Sequence, residues 1–446
     1  MLGIPASPRS TRRKPFSWRP DPLRASCLVS VIRRRSLTEG NPHARPPALA
    51  IKHPPRTADP ARVRLACVGH GDHRAALRRF AAGGSETYQG QRHSLDALDA
   101  LAAGGPLLVV SLDAPRYEEE EGTLRMIGIG EAPRWMARPR RLAESWRSRS
   151  VIAALESFGP THVLLRTMDV VGCGVLDWST RRCVPSAAII AGRFERAHPA
   201  SLRFAKLANH PSVAFVGNHN RVATASMLDC GLDPAKAIAW DWPPAVVPDG
   251  KPPRTRNGSL PLRLVYAGSL LRTKGVLDLA DAALALERSG IAVRLTMFGD
   301  GPEADRLSRH PAARSGALLL PGRTAHENVL DALSTCDLAV VPSHPEFPEG
   351  LPLFLYEALA LRVPAVLSEH PVLLAYFREG EGVAFAPPRD GTRLAKVIAA
   401  LARDASRYEL LSQATLHAWR SIQCEVRYED LLDRLSARWR GDTCTR

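Results

Sequence analysis

The chain has 446 residues, 45% of them hydrophobic, and a formal net charge of +15. That length exceeds one ordinary core and predicts two domains, and the absence of any charge-free apolar run of about 18 residues excludes a membrane-spanning helix. Eight scattered cysteines without a C-x-x-C pair speak against a disulfide framework or a structural zinc, and for a reducing cytoplasm.

The charge is unevenly placed. Residues 1–60 hold twelve Lys and Arg against three acids, together with eleven of the 37 prolines, and show no helical or strand period. They are expected to form a disordered extension. Arg12, Arg13, Lys14 and Arg33, Arg34, Arg35 suit anionic lipid headgroups or nucleic acid, but a solvated tail or a start codon placed too far upstream is the preferred explanation. No apolar run follows these charges, so a signal peptide is not expected. From residue 61 onward 48 basic residues meet 42 acids, a mild excess, and nucleic acid is not an expected partner.

Short apolar runs then alternate with helical patterns. Val63–Gly69 (VRLACVG) reads as a first buried strand, followed by a Gly-Gly turn at Gly83 and Gly84 and a helix to about Ala103. Residues 106–112, 162–166, 187–191 and 213–217 are further buried strands, and such runs separated by helices predict a parallel sheet covered on both faces. Residues 124–150 combine seven arginines with Trp135 and Trp146; a contact with an anionic membrane and a solvated basic face both fit, the second slightly better.

The Pro-rich stretch Trp242–Pro261 breaks the pattern and reads as a linker. Strands then recur at 262–267, 292–298, 317–320, 338–341 and 365–367. The fold class expected is therefore α/β, two doubly wound Rossmann-like domains facing a cleft. Its boundaries are a first, acceptor-side domain over 61–242, a linker over 243–261 and a second domain over 262–415. Residues 416–446 should form a terminal helix that packs back on the first domain, with Trp419, Ile422, Val426, Tyr428, Leu431, Leu432 and Leu435 as its apolar stripe.

The densest chemical signal is Pro342–Val366, PSHPEFPEGLPLFLYEALALRVPAV, where a strand runs through an acidic, Pro-rich loop into a helix starting near Leu353. A helix N-terminus below a strand end offers free N–H groups and a positive dipole to a pyrophosphate. Glu349 and Glu357, with seven residues between them, can accept hydrogen bonds from sugar and ribose hydroxyls. Glu349, Gly350, Pro352, Glu357, Ala358 and Ala360 resemble the E-G-x-P-x-x-x-x-E-A-x-A element of the group-1 retaining glycosyltransferases (family 4), whose fold is GT-B. The resemblance implies that Glu349 faces the donor hexose, with Leu351 beside it in the same element, and that Glu357 binds ribose.

Gly268–Gly275 (GSLLRTKG) resembles the same family's G-R-x-x-x-x-K-G loop, and Lys274 matches the lysine that neutralises the donor pyrophosphate. Ser269 stands in the arginine place, and Arg272, three residues on, could replace that arginine only by turning inward. FGDGPE (298–303) and Gly322 also match, and the resemblance implies that Leu320–Arg323 meets the base through main-chain atoms. In the first domain, Gly83 and Gly84 resemble the family's Gly-rich turn, with an ordinary turn as the equal alternative. Asn218 or His219, in VGNHN, is expected at the cleft, with a structural histidine weighed equally. Near Ala191, where the family commonly has a histidine, the sequence reads AGRFE, leaving Arg193 or Glu195 for that space.

The resemblance implies a hexosyltransferase that needs no cofactor or metal ion. It would move sugar from a nucleotide-sugar donor to a saccharide or lipid-linked acceptor, in the cytoplasm or at the inner face of the membrane, in polysaccharide or glycolipid assembly. A non-catalytic nucleotide-sugar-binding protein, which Ser269 would suit, and a GT-B nucleotide-sugar epimerase are the alternatives.

Overall fold

The computed structural model describes residues 63–441 except 85, 87–89, 134–139, 257–260 and 348. The extension at 1–60, and Arg134, Trp135 and Arg138 of the basic stretch, lie outside the described residues.

Eight strands precede the Pro-rich stretch: β1 (Leu65–Gly69), β2 (Leu107–Ser111), β3 (Tyr117–Glu121), β4 (Leu124–Gly128), β5 (His162–Arg166), β6 (Ser186–Ile190), β7 (Val213–His219) and β8 (Ala237–Asp241). Six follow it: β9 (Leu262–Ala267), β10 (Val293–Phe298), β11 (Leu318–Gly322), β12 (Leu338–Val341), β13 (Ala365–Ser368) and β14 (Val383–Ala386). A short β15 (Val426–Arg427) comes near the end. The first sheet runs β15-β8-β7-β6-β5-β1-β2-β4-β3 and the second β11-β10-β9-β12-β13-β14. The α/β expectation of two doubly wound domains holds.

Why these strands are buried on both sides follows from the strand period of two. Along β1, Ala66 and Val68 enter one apolar layer while Leu65 and Cys67 enter the opposite one. In β9 the same division sends Leu264 and Tyr266 to one side and Val265 to the other. Helices therefore cover both faces, and no helix among the described residues is long and apolar enough to cross a membrane.

Three features depart from the sequence reading. The acidic run YEEEE at 117–121 pairs antiparallel with β4 as the edge of the first sheet. Arg74 and Arg78 hold Glu119, and Arg125 holds Glu118, so two of the four glutamates are paired, on an edge where charge is tolerated. The basic stretch around 124–150 is thus divided between β4 and the helix Arg140–Phe158. The terminal stretch, expected as one helix, is two: Ala405–Ile422 and Tyr428–Gly441, split by β15. Pairing of β15 with β8, and a bond from the Cys424 N–H to the Asp241 carboxylate, draw the chain out of helical conformation there. The final helix then buries Tyr428, Leu431 and Leu435 with Leu65, Cys67 and Trp240 of the first domain.

Between β8 and β9 the described residues form no helix or strand. Arg254 fastens this segment to the second domain, donating to the carbonyls of Leu333, Cys336 and Leu361 at 3.2, 2.8 and 3.0 Å. These carbonyls end two helices and would otherwise lack intrahelical donors.

Candidate active site

Strand β12, inside the second sheet, delivers Pro342, Ser343 and His344 just beyond its C-terminal end, and the chain then loops to Glu349 before the helix Leu353–Ala360. Pro352 is the N-cap of that helix and no side chain caps it. Its first turn consequently keeps N–H groups for an anion. Glu349 and Glu357 are both buried, which for carboxylates demands specific partners.

Glu349 has two. The Lys274 ammonium lies 2.8 Å from each carboxylate oxygen, and the Ser343 hydroxyl donates to Oε2 at 2.5 Å. Lys274 also sits 4.3 Å from the centre of the Phe347 ring, a cation–π contact that helps fix the ammonium. Burial, and then the negative charge of Glu349, push the Tyr266 hydroxyl well above its ordinary pKa. That hydroxyl donates to the Ser269 carbonyl at 2.9 Å and shapes the loop leading to Lys274.

The loop's glycines have packing reasons. Gly275 has φ +70°, and a Cβ there would lie 2.1 Å from the Pro342 carbonyl oxygen, so only glycine lets the Lys274 loop lie against the end of β12. In FGDGPE, Gly299 has φ +127° and a Cβ would stand 1.9 Å from the Gly268 carbonyl oxygen.

Glu357 is bonded by His326 at 2.5 Å, a residue that the sequence reading missed. That hydrogen bond raises the imidazole pKa, against burial, which lowers it; the charges of Glu357, Glu327 and Glu86 add to the rise. Glu86 belongs to the first domain, just past Gly83 and Gly84. A histidine at a helix start, 31 residues before its partner, leaves no local signal.

The remaining candidates divide. Gly350 lies in the cleft with Glu349, whereas Leu351 is buried in the apolar layer behind it. Gly322 ends β11 with φ +78° and open space about it, and Arg323 beyond it is exposed. Ser269 is exposed on the loop. Arg272 lines a different pocket from the one that holds Glu349, with Asp278, His344, Glu346 and Arg389. His344 is held there by Asp278 at 2.6 Å, on the helix that follows the loop.

In the first domain, Gly83 and Gly84 do not follow β1. The helix His73–Ala81 intervenes, and the pair ends it, with the Gly84 N–H donating to the Arg79 carbonyl at 2.9 Å. Asn218 is wholly buried and does not face the cleft. His219 does, in a pocket of about 160 Å³ that also holds Gly192, Arg193, Glu349 and Gly350. Burial lowers the His219 pKa, against the pull of Asp241. Its Nε2 stands 3.4 Å from the Asp241 carboxylate yet makes no hydrogen bond.

Residues 254–417 match the family described as glycosyl transferases group 1. That stretch is a group 1 glycosyltransferase domain. Among curated proteins, the putative teichuronic acid biosynthesis glycosyltransferase TuaC of Bacillus subtilis is 32% identical over 145 residues, 32% of each chain. The glycogen synthase of Mycobacterium tuberculosis (strain H37Rv) is 30% identical over 197 residues, 43% of each. The matched region thus spans well under half the length of these relatives. Among solved structures, Anabaena HepE in complex with UDP superposes with a TM-score of 0.56 at 13% identity, covering 84% of this chain and 99% of that one. Sucrose-phosphate synthase from Thermosynechococcus elongatus gives 0.53 at 16% identity, with 85% and 98% covered. The glycosyltransferase domain and the sheet before it therefore share the GT-B fold, the N-terminal domain being matched by fold alone.

Proposed function

We propose that this protein is a retaining hexosyltransferase that moves sugar from a nucleotide-sugar donor to a hydroxyl acceptor, in polysaccharide or glycolipid assembly. The observation that carries this reading is the Lys274–Glu349 pair beside an uncapped helix N-terminus in the glycosyltransferase domain. A diphosphate at that terminus meets backbone N–H groups, the helix dipole and the ammonium together. As the anomeric bond breaks, negative charge grows on the leaving diphosphate, and Lys274, already fixed by Glu349, needs no reorganisation to meet it. The Glu349 carboxylate orients hexose hydroxyls. Glu357, held by His326, accepts from the ribose hydroxyls, and the main chain at 320–323 meets the base. HepE is a structural neighbour crystallised with UDP and with UDP-glucose, which supports a nucleotide-sugar donor here.

Thermal-shift screening against UDP-, GDP- and ADP-sugars tests the site. One donor should raise the melting temperature of the wild type but not of Glu357→Ala. A wild type that responds to none of them, with or without acceptor, would remove the assignment.

A further inference from the structure

The cleft as built leaves a charge deficit. Lys274 is already paired with Glu349, the loop carries Ser269 and Arg272 points into another pocket. A diphosphate brings two or more negative charges, so a second cation is wanted.

One side chain of the first domain fits. Arg193 follows β6, lines the same pocket as Glu349 and Gly350, and its charge reaches His370 together with that of Lys274. Its guanidinium makes no hydrogen bond or ion pair among the described residues. Yet the backbone that presents it is clamped on both sides. The buried Asn218 amide accepts from the Gly192 N–H at 3.1 Å and donates to the Gly192 carbonyl at 2.8 Å. On the other flank, Phe194 is buried and its N–H donates to the Ser226 hydroxyl at 2.9 Å, while the Glu195 N–H donates to Ser201 at 3.2 Å. The backbone position is thus fixed, while the exposed guanidinium is left free to meet an anion. His219 lines the same pocket, its Nε2 3.4 Å from Asp241 and without a hydrogen bond.

We infer that Arg193 is the arginine of the donor diphosphate site, supplied across the cleft by the first domain in place of the residue absent at 269. The inference rests on the nucleotide-sugar reading. It makes Arg193 a group that engages the donor only when both domains face it, so that donor binding couples them.

Calorimetric titration of the full chain with UDP, GDP and ADP, and with the corresponding nucleosides, tests it. For the diphosphate that binds wild type, Arg193→Ala should weaken binding about 10- to 100-fold and leave the nucleoside within about twofold, with Arg193→Lys in between. Placing the arginine back on the loop, in the double variant Arg193→Ala/Ser269→Arg, should recover most of the loss. Undiminished diphosphate binding by Arg193→Ala, an equal loss for nucleoside and diphosphate, or a rise only in acceptor KM would each overturn the inference while leaving the donor reading intact. A wild type that binds no nucleoside diphosphate would overturn both.

Discussion

Lys274 and Glu349 depend on each other. Both are largely withdrawn from water, and removing one leaves the other as a buried charge. Lys274→Met should lower kcat roughly 100-fold or more and cost about 3 kcal/mol of stability, read from turnover and from a urea midpoint. Glu349→Gln should be milder in stability, since the neutral amide can still bond Ser343 and Lys274. His326 gives a pH signature. Its folded pKa is raised by Glu357, so its stabilisation is complete below the unfolded value near 6.5 and is lost as pH rises through the higher folded value. The melting-temperature advantage of wild type over His326→Gln should accordingly be greatest near pH 6 and shrink by pH 9; a constant difference would argue against this pair.

At the level of elements, the helix Leu353–Ala360 is the centre of the site, and its two ends are managed differently. The N-terminal end is left uncapped, facing the cleft. At the C-terminal end, Arg254 takes the Leu361 carbonyl while also closing the end of the helix His326–Thr335. Arg254→Ala should lower stability by about 2–3 kcal/mol, since three part-buried carbonyls lose a charged donor; chemical denaturation measures this. Substitution at Gly275 acts on another element, the turn that carries Lys274. Gly275→Ala should cost more than about 1 kcal/mol because both the positive φ and the Pro342 carbonyl oppose a methyl group, and donor affinity should fall with it.

In the whole molecule, the two domains are joined at a few buried polar points. The Tyr356 hydroxyl donates to Asp241 at 2.9 Å from the helix that carries Glu357, and the Tyr376 hydroxyl donates to Asn220 at 2.9 Å. Asp241 also takes the Cys424 N–H, where the chain returns to the first sheet. Tyr356→Phe should leave that carboxylate short of a donor and loosen the domain pair. Small-angle scattering should then show a larger change in radius of gyration on nucleotide binding than in wild type.

Chain-local information determined the periods of two and 3.6 that fix two doubly wound sheets, the glycine-marked loops, and the Glu349–Glu357 element with Lys274 upstream, because these depend on nearby residues and on spacing. Tertiary structure alone decided the rest. An acidic YEEEE run became an edge strand by pairing with β4, where arginines of other elements hold two of its glutamates. One expected terminal helix became two, since Asp241 and β8 pull the chain straight. Asn218 became a backbone clamp instead of a cleft residue, Arg272 came to line another pocket, and His326 entered the site from an element whose sequence carries no mark of it. Such pairings are set by burial and by contacts across tens to hundreds of residues, which no local pattern encodes.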